Sequence, residues 1–363
     1  MEHPENDKAY KGLAVNGGVE QPPVVNPYLN RRPVARRQLT PGEMVEGILK
    51  GDTTVLSQAV TLVESTNPDH YAMAQEVIEK CLPYSGRSVR IGISGVPGAG
   101  KSTSIDKFGT HVLDTYGGRL AVLAIDPSSE LNKGSILGDK THMDGLMVRK
   151  EAFIRPSPSA GSLGGVARKT RESVILCEAA GFDKIFIETV GVGQSETACQ
   201  SMVDFFLVIQ LAGAGDELQG IKRGIMEMAD GIAINKCDGD NVEHCTLSAA
   251  QLRNALHFFP APESGWSRQV LTYSGLMGTG IKEIFEMVFS YVDFVKANGY
   301  FESRRRLQNK YWMRETIESG LLDRFYNTME NRLAEAENTV WNGSMTSFTA
   351  AHSLLEEYYK LIK

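Results

Sequence analysis

Hydrophobic residues between positions 89 and 273 are grouped in short runs that are apolar over nearly their whole length. Such runs are typical of strands buried on both faces of a parallel sheet, whereas strict alternation would indicate one exposed face. Stretches of helical character separate the runs, and this alternation predicts a doubly wound, mostly parallel α/β sheet. The predicted strands are Val89–Ser94, Leu120–Ile125, Lys184–Ile187, Phe205–Leu211, Gly231–Ile234 and Val270–Tyr273.

The pattern changes on both sides of this region. Residues 1–39 are rich in Pro, Asn and Gly without periodicity, which predicts an extended or disordered arm. Thr40–Glu43 has the residues of a capping box and predicts the start of a helical N-terminal extension over 40–86. The sheet region follows over 87–297, and residues 298–363 are charged and helical in character.

Composition and charge are those of a globular protein with a full hydrophobic core. Hydrophobic residues make up 42% and charged residues 23% of the 363 positions. A net charge of -6 does not favour a nucleic-acid or anionic-membrane binder, and no apolar run reaches the ~18–20 residues that cross a bilayer. The N-terminus lacks the features of a secretory signal, and the five cysteines form no CxxC pair. We therefore expect a cytoplasmic protein whose partners are neither nucleic acid nor membrane.

A phosphate-binding loop follows the first predicted strand. The segment Gly95–Ser102 matches GxxxxGK[ST] between a strand and a helical stretch, as the motif requires. Glycines let successive N–H groups converge on phosphate oxygens, and the helix N-terminus adds the positive end of its dipole. We expect Lys101 to reach the β- and γ-phosphates and the Ser102 hydroxyl to bind Mg²⁺. The predicted phosphate-binding residues are Gly95, Val96, Pro97, Gly98, Ala99, Gly100, Lys101, Ser102 and Thr103.

Acidic residues near the ends of neighbouring strands complete the predicted metal site. Asp126 and Glu188 each end a predicted strand, and Asp139 lies on a loop. Ligands of open α/β sheets bind at the carboxyl ends of the strands, so all three carboxylates are candidates for the Mg²⁺ site together with Ser102. Among these groups we expect Asp126 and Glu188, with Lys101, to be catalytic.

The segment Asn235–Asp238 reads NKCD after a buried strand, which predicts a guanine-reading loop. An aspartate carboxylate accepts hydrogen bonds from the N1–H and the 2-amino group of guanine together, and adenine offers no such donor pair. The predicted nucleotide is therefore GTP or GDP. The expected base-contacting residues are Asn235, Lys236 and Asp238, with Ser274, Gly275 and Leu276 after the next strand.

These segments, with several longer strings, resemble the MeaB/ArgK family of P-loop GTPases, whose animal member is the methylmalonic aciduria type A protein. The strings ETVGVGQSE and GDELQGIK are far more specific than the phosphate loop alone. The resemblance is carried by Gly95–Ser102, Asp126–Ser129, Gly134–Thr141, Ile187–Glu196, Gly215–Lys222 and Asn235–Asp238.

The resemblance implies a P-loop NTPase fold and a Mg²⁺-dependent GTPase that forms GDP and phosphate. It further implies a chaperone of an adenosylcobalamin-dependent acyl-CoA mutase of the methylmalonyl-CoA mutase type, which gates cofactor loading and protects the mutase. A homodimer formed through the helical C-terminal arm is implied as well. The resemblance places Asp126, Asp139 and Glu188 at Mg²⁺-linked positions and segment 215–223 at a mobile switch that signals to the mutase. The expected switch residues are Asp216, Glu217, Gln219 and Lys222.

Two other functions remain open from the sequence. The first is a nucleotide-dependent kinase linked to basic amino-acid transport, a label that this family has carried, although the NKCD loop disfavours ATP. The second is a metal-delivery GTPase of the hydrogenase or urease maturation type, which shares the sheet topology. That class needs a metal-storing cluster, for which Cys237, His244 and Cys245 are the nearest candidates.

Overall fold

A parallel sheet organises the protein, as the hydrophobic runs predict. The computed structural model describes residues 39–125, 143–156, 163–189, 195–213 and 222–362. The strands within these ranges are β1 (Val89–Gly95), β2 (Leu120–Ile125), β3 (Ala152–Arg155), β4 (Lys184–Thr189), β5 (Phe205–Leu211), β6 (Gly231–Asn235) and β7 (Gln269–Thr272). These seven strands lie in the order β3-β2-β4-β1-β5-β6-β7, and every neighbouring pair is parallel. The predicted α/β class with a parallel, doubly wound sheet is confirmed.

Helices connect the strands and extend the chain on both sides of the sheet. The helices before β1 are α1 (Pro41–Leu49), α2 (Thr53–Glu64) and α3 (Pro68–Cys81). Those between strands are α4 (Lys101–Tyr116), α5 (Asp144–Met147), α6 (Leu163–Ala179), α7 (Ser195–Gln200), α8 (Lys222–Met228) and α9 (Val242–Leu256). The helices after β7 are α10 (Ile281–Ala297), α11 (Tyr300–Trp341) and α12 (Ser347–Leu361). The helical character predicted for the C-terminal region is confirmed.

The hydrophobic pattern does not predict β3. This strand has four residues and pairs only with β2, at one edge of the sheet. Its apolar stretch, Ala152-Phe153-Ile154, is bounded by Glu151 and Arg155 and is too short to be distinguished from a loop. The strand forms because its backbone pairs with β2. This pairing joins two segments that are distant in the sequence, so the local pattern does not contain it.

The helical extension before β1 begins where the sequence predicts. The Thr40 hydroxyl accepts from the Glu43 N–H at 3.3 Å, and the Glu43 carboxylate accepts from the Thr40 N–H at 2.9 Å, which is a complete capping box. Helices α2 and α3 pack against α6. The Gln75 amide on α3, for example, donates to the Glu172 carboxylate on α6 at 3.2 Å.

Strand β1 occupies the middle of the sheet, between β4 and β5. The chain order reverses on either side of β1, and ligands of open α/β sheets bind in the crevice at this point. One face of the sheet is covered by α4 and α10 through an aromatic core, in which Phe108 lies 5.2 Å from Tyr273 and 5.4 Å from Phe285 between ring centroids. This core contains residues of β1 and α4, the two elements that the phosphate loop joins.

The long helix α11 is attached to the sheet along its first turns. Arg304 forms an ion pair with Asp230 at 3.0 Å, and Arg305 forms one with Asp204 at 2.7 Å. The Trp312 indole N–H donates to the Ser201 carbonyl at 3.1 Å. Beyond this point α11 packs against α12 through a small cluster of Met329, Leu354 and Tyr358. In the described part of the chain, every helix is too short or too polar to cross a bilayer.

Candidate nucleotide-binding site

The phosphate loop joins β1 to α4, and its glycines are required by its backbone. Gly95, Gly98 and Gly100 have φ values of 154°, 77° and 81°. A Cβ at Gly95 would lie 2.2 Å from the Ile209 carbonyl oxygen, so a side chain cannot be accommodated there. The loop therefore owes its shape to positive φ angles and to its close approach to β5.

Lys101 is buried at the start of α4, and its side chain lies over the phosphate loop. Its Nζ donates to the Gly95 carbonyl at 3.0 Å and to the Val96 carbonyl at 3.3 Å. The ammonium group is thereby held beside the N–H groups that open the helix, where phosphate oxygens are expected. A phosphate bound there would meet both a full positive charge and the helix N-terminus.

Ser102 and Glu188 are brought together as the metal prediction requires. The Ser102 hydroxyl donates to Glu188 Oε1 at 3.2 Å. Glu188 is buried on β4 and lies opposite Ile93 of β1, two residues before the phosphate loop. A hydroxyl and a carboxylate are the hard oxygen ligands that Mg²⁺ prefers, so this pair fits the ion.

Several predicted residues cannot be placed. The predicted metal ligands Asp126 and Asp139 lie outside the described residues, and so do the predicted switch residues Asp216, Glu217 and Gln219. Lys222 is the first residue of α8, and its side chain lies outside the described part of the structure. The roles predicted for these residues stay predictions.

The NKCD loop follows β6 and is held against the end of β7. Among the described residues, Lys236 alone of the non-glycine residues has a positive φ, 60°. The Cys237 N–H donates to the Tyr273 carbonyl at 3.0 Å, which fixes the loop beside the residue after β7. The Asp238 carboxylate accepts a hydrogen bond from the Ser274 hydroxyl. Ser274 is fully buried, so its position is fixed, and its hydrogen bond orients the Asp238 carboxylate.

Asn235 connects the phosphate loop to the base loop. Its Nδ2 donates to the Ala99 carbonyl at 2.7 Å, and its Oδ1 accepts from the Gly275 N–H at 2.9 Å. The side chain is only 3% exposed. Asn235 therefore fixes the distance between the phosphate end and the base end of the site. Leu276, the next residue of the predicted base loop, is 75% exposed and leaves its apolar side chain accessible.

A second connection runs through residues that the sequence does not single out. The Tyr273 hydroxyl lies 2.7 Å from Ser104 Oγ, and Ser104 Oγ donates to the Gly100 carbonyl at 2.8 Å. A tyrosine at the end of an apolar run is read as a core residue, and a serine inside a helix carries no signal of its own. Their shared hydrogen bond reinforces the contact that Asn235 makes.

Glu196 is another residue that the sequence does not single out. It is 2% exposed on α7, and its carboxylate accepts from the Ser195 hydroxyl at 3.5 Å. Burial raises the pKa of the Glu196 carboxyl, while the positive charge of Lys101 acts in the opposite direction. Glu196 belongs to the ETVGVGQSE string, so the sequence indicates that this segment is important. The sequence does not indicate that Glu196 lies close enough to Lys101 to be affected by its charge.

Of the residues considered for metal storage, Cys237 belongs to the base loop, and His244 and Cys245 lie on α9. Cys245 is buried, and its Sγ contacts the Asn235 carbonyl at 3.9 Å and the Asn241 amide at 3.6 Å. His244, the preceding residue on α9, is exposed. In the ranges that the structure describes, no three His, Cys, Asp or Glu side chains are grouped so as to hold a metal ion.

A protein-family model, described as methylmalonyl Co-A mutase-associated GTPase MeaB, matches residues 56–330 of the chain. This range includes the phosphate loop, the NKCD loop and most of α11.

Individual relatives match most of the chain. The GTPase ArgK of Escherichia coli is 44% identical over 289 residues, which cover 80% of this chain and 87% of that protein. The methylmalonic aciduria type A homolog of Mus musculus, described as mitochondrial, is 40% identical over 324 residues, with 86% and 78% coverage. Among solved structures, a LAO/AO transport system kinase matches with a TM-score of 0.70 and 35% identity, covering 89% of this chain and 99% of that chain.

Proposed function

Because the chain belongs to the MeaB family of GTPases, we propose that it acts as a Mg²⁺-dependent GTPase chaperone of an adenosylcobalamin-dependent acyl-CoA mutase of the methylmalonyl-CoA mutase type. The hydrolysis of GTP to GDP and phosphate is the family's activity, and relatives named GTPases are 44–47% identical to this chain. The observation that carries the proposal is the pairing of Ser102 with Glu188 below the phosphate loop, joined through Asn235 to a guanine-reading loop.

The arrangement suits attack of water on the γ-phosphorus. The loop N–H groups and Lys101 would stabilise the negative charge that spreads over the β- and γ-oxygens, with GDP as the leaving group. Ser102 and Glu188, together with Asp126 and Asp139, would hold Mg²⁺, which neutralises phosphate charge when it is bound. Asp238 would bind the guanine edge, and Asn235 would keep that edge at the correct distance from the phosphates.

The sequence shows no evident residue that would position the attacking water. Ordinary GTPases have a glutamine directly after a DxxG string, whereas here the string begins with Glu188 and Val192 follows Gly191. The nearest glutamine is Gln194. We therefore propose that basal hydrolysis is slow and that the mutase accelerates it through a rearrangement that includes segment 215–223.

Addition of the mutase is expected to raise the rate of GTP hydrolysis at least tenfold, because a partner that favours the hydrolysis-competent arrangement removes a conformational cost of about 1.4 kcal/mol or more. Lys222→Ala should reduce this stimulation and leave basal turnover unchanged. Lys310→Ala, an exposed lysine on α11, is the matched control. Steady-state phosphate release with and without the mutase measures the effect. Full stimulation of the Lys222 variant would remove the switch role, and no response of the unaltered protein would remove the mutase from the proposal.

We also propose that α11 and α12 form the dimer interface. Beyond Trp312, α11 keeps a row of apolar side chains exposed, and α12 adds others at its own surface. An exposed apolar surface of this extent is typical of an interaction site. The exposed residues are Ile317, Leu321, Leu322 and Tyr326 on α11, with Phe348, Leu355 and Tyr359 on α12.

Leu321→Glu combined with Leu322→Glu is expected to weaken the dimer at least tenfold, since each charge would have to leave water on association. Removal of everything after Ala297 is a poorer experiment, because it would also remove Arg304 and Arg305, whose ion pairs with Asp230 and Asp204 lie at the base of the sheet. Sedimentation equilibrium measures the change. Leu247→Glu, at an equally exposed leucine on α9, is the control. A double variant that dimerises like the unaltered protein would refute this interface.

The alternatives are less well supported. The Asp238 carboxylate, oriented by Ser274, would accept from two donors of guanine that adenine lacks, which argues against an ATP-dependent kinase. We propose a cytoplasmic location because the five cysteines are all free.

A further inference from the structure

A cavity of about 690 Å³ lies at the edge of the sheet opposite the nucleotide site. It opens between α6, the start of β1 and the anchored part of α11. Arg90, which lines it, precedes Gly95 by five residues, or roughly 17 Å along a strand. The volume is within the range of small-molecule sites. The cavity is therefore separate from the phosphate loop and large enough for an organic ligand.

Arginine is the main charged residue of the cavity wall. Two of the arginines are neutralised, since Arg90 pairs with Glu178 at 2.8 Å and Arg305 pairs with Asp204 at 2.7 Å. The remaining three have no carboxylate within ion-pair distance among the described residues, while the wall contributes only two carboxylates, Glu172 and Glu302. The arginines that line the cavity are Arg90, Arg168, Arg171, Arg305 and Arg306.

Buried guanidinium nitrogens around the cavity lack hydrogen-bond partners. These atoms are Nη1 of Arg90, Nε of Arg168 and Nη1 of Arg171, within the described part of the chain. Arg90 is only 3% exposed, so water does not compensate for the missing partner. Arg171 donates to the Asn309 side chain at 2.8 Å but to no carboxylate. Unpaired buried donors of this kind are uncommon in folded proteins and require an explanation.

The electrostatic environment of Arg171 agrees with an unmet positive charge. Burial, together with repulsion by Arg90 and Arg305, lowers the pKa of Arg171 to about 9, although Glu178 and Asp204 act in the opposite direction. Burial raises the pKa of Glu172, one turn after Arg168, while the charge of Arg168 and the hydrogen bond from the Gln75 amide act in the opposite direction. An anion in the cavity would offset the repulsion among these arginines.

Apolar side chains form the rest of the lining, here called the apolar wall. They are Leu82, Ile175, Trp312 and Met313, and Met313 is 58% exposed. A bare phosphate ion would leave this wall in contact with water. A ligand with an anionic group and an apolar body would contact both the arginines and the apolar residues.

We propose that this cavity binds an organic phosphate, whose phosphate group contacts Arg168 and Arg171 and whose organic part packs against Trp312 and Met313. Arginine is suited to this task because its planar guanidinium binds phosphate oxygens through two parallel hydrogen bonds. The phosphate would offset the positive charge of these arginines, and the apolar residues of the cavity would select an organic ester over the inorganic ion.

Calorimetric titration with 1-naphthyl phosphate tests the site in the full-length protein saturated with GDP and Mg²⁺, so that the phosphate loop is filled. Binding is expected, with at least tenfold weaker affinity for inorganic phosphate and none for 1-naphthol. Arg171→Gln should weaken binding of 1-naphthyl phosphate at least tenfold. Arg314→Gln, an exposed arginine on α11 that does not line the cavity, should not change it. Binding of GDP should be the same in all variants.

Arg168→Gln is a second variant for the case that Arg171→Gln fails to fold, and it should also weaken binding tenfold. Absence of binding at millimolar 1-naphthyl phosphate, or unchanged affinity in the cavity variants, overturns the proposal. Equal affinity for inorganic phosphate overturns the role of the apolar wall and with it the organic ligand. A change of oligomeric state in Arg171→Gln without phosphate binding would instead assign these arginines to contact between two copies of the chain.

Discussion

Replacement of Lys101 with alanine is expected to weaken the binding of GDP and GTP by a hundredfold to ten-thousandfold. The Nζ atom lies over the phosphate loop, 3.0 Å from the Gly95 carbonyl oxygen. Two charge-assisted hydrogen bonds to phosphate oxygens would contribute roughly 1.5–3 kcal/mol each, or about 3–6 kcal/mol together. Alanine is a strong helix former at the first position of α4, so the fold should be retained.

Calorimetry with GDP measures this loss, and circular dichroism checks the fold. Lys107→Ala, an exposed lysine on the same helix, serves as the control and should bind GDP normally. Unaltered affinity in Lys101→Ala, in a protein that is folded, would mean that the phosphates do not bind at this loop.

Asp238→Asn is expected to change the base preference from guanine to xanthine. The Ser274 hydroxyl accepts from the Met277 N–H at 3.0 Å, so its own hydrogen is directed to the Asp238 carboxylate. An asparagine will place its oxygen toward that hydroxyl and its amide toward the base. The amide then faces the 2-amino group of guanine, donor against donor, whereas xanthine has a carbonyl at this position.

The affinity for GTP should fall ten- to a hundredfold, about 1.4–2.8 kcal/mol, because a polar group of the base is left unpaired. Hydrolysis of XTP should appear in the variant. Steady-state hydrolysis of GTP, XTP and ATP by both proteins provides the comparison, and Asp240→Asn, at the exposed aspartate two residues on, is the control. Preference of the unaltered protein for ATP, or retention of GTP preference by the variant, would show that Asp238 does not read the base.

The sequence predicts those parts of the site whose chemistry depends on local backbone. Gly95, Gly98 and Gly100 are needed for a loop of consecutive residues, and the spacing of the motif specifies that loop completely. Glu188 is predictable because it ends a buried run, and strands of a parallel sheet end at the same edge.

Contacts between distant segments are not predictable in this way. The sequence predicts that Asn235 binds nucleotide, and the structure shows that its side chain joins Ala99 to Gly275. The sequence predicts Ser274 beside the base, and the structure shows that it orients Asp238. These hydrogen bonds depend on the register between β6, β7 and the phosphate loop, which no single segment encodes. The arginines around the second cavity are separated by more than 200 positions from Arg90 to Arg305, so no sequence window contains them.

The attachment of α11 has a mechanical consequence. The helix has 42 residues, which corresponds to a rod of about 63 Å at 1.5 Å per residue, and roughly 44 Å of it extends beyond Trp312. A tilt of about 10° at the anchored turns would move the far end by roughly 8 Å on this geometry. The ion pairs of Arg304 and Arg305 therefore set the direction in which this long helix extends. Small displacements of the sheet at Asp204 and Asp230 would produce larger displacements at the far end of the helix.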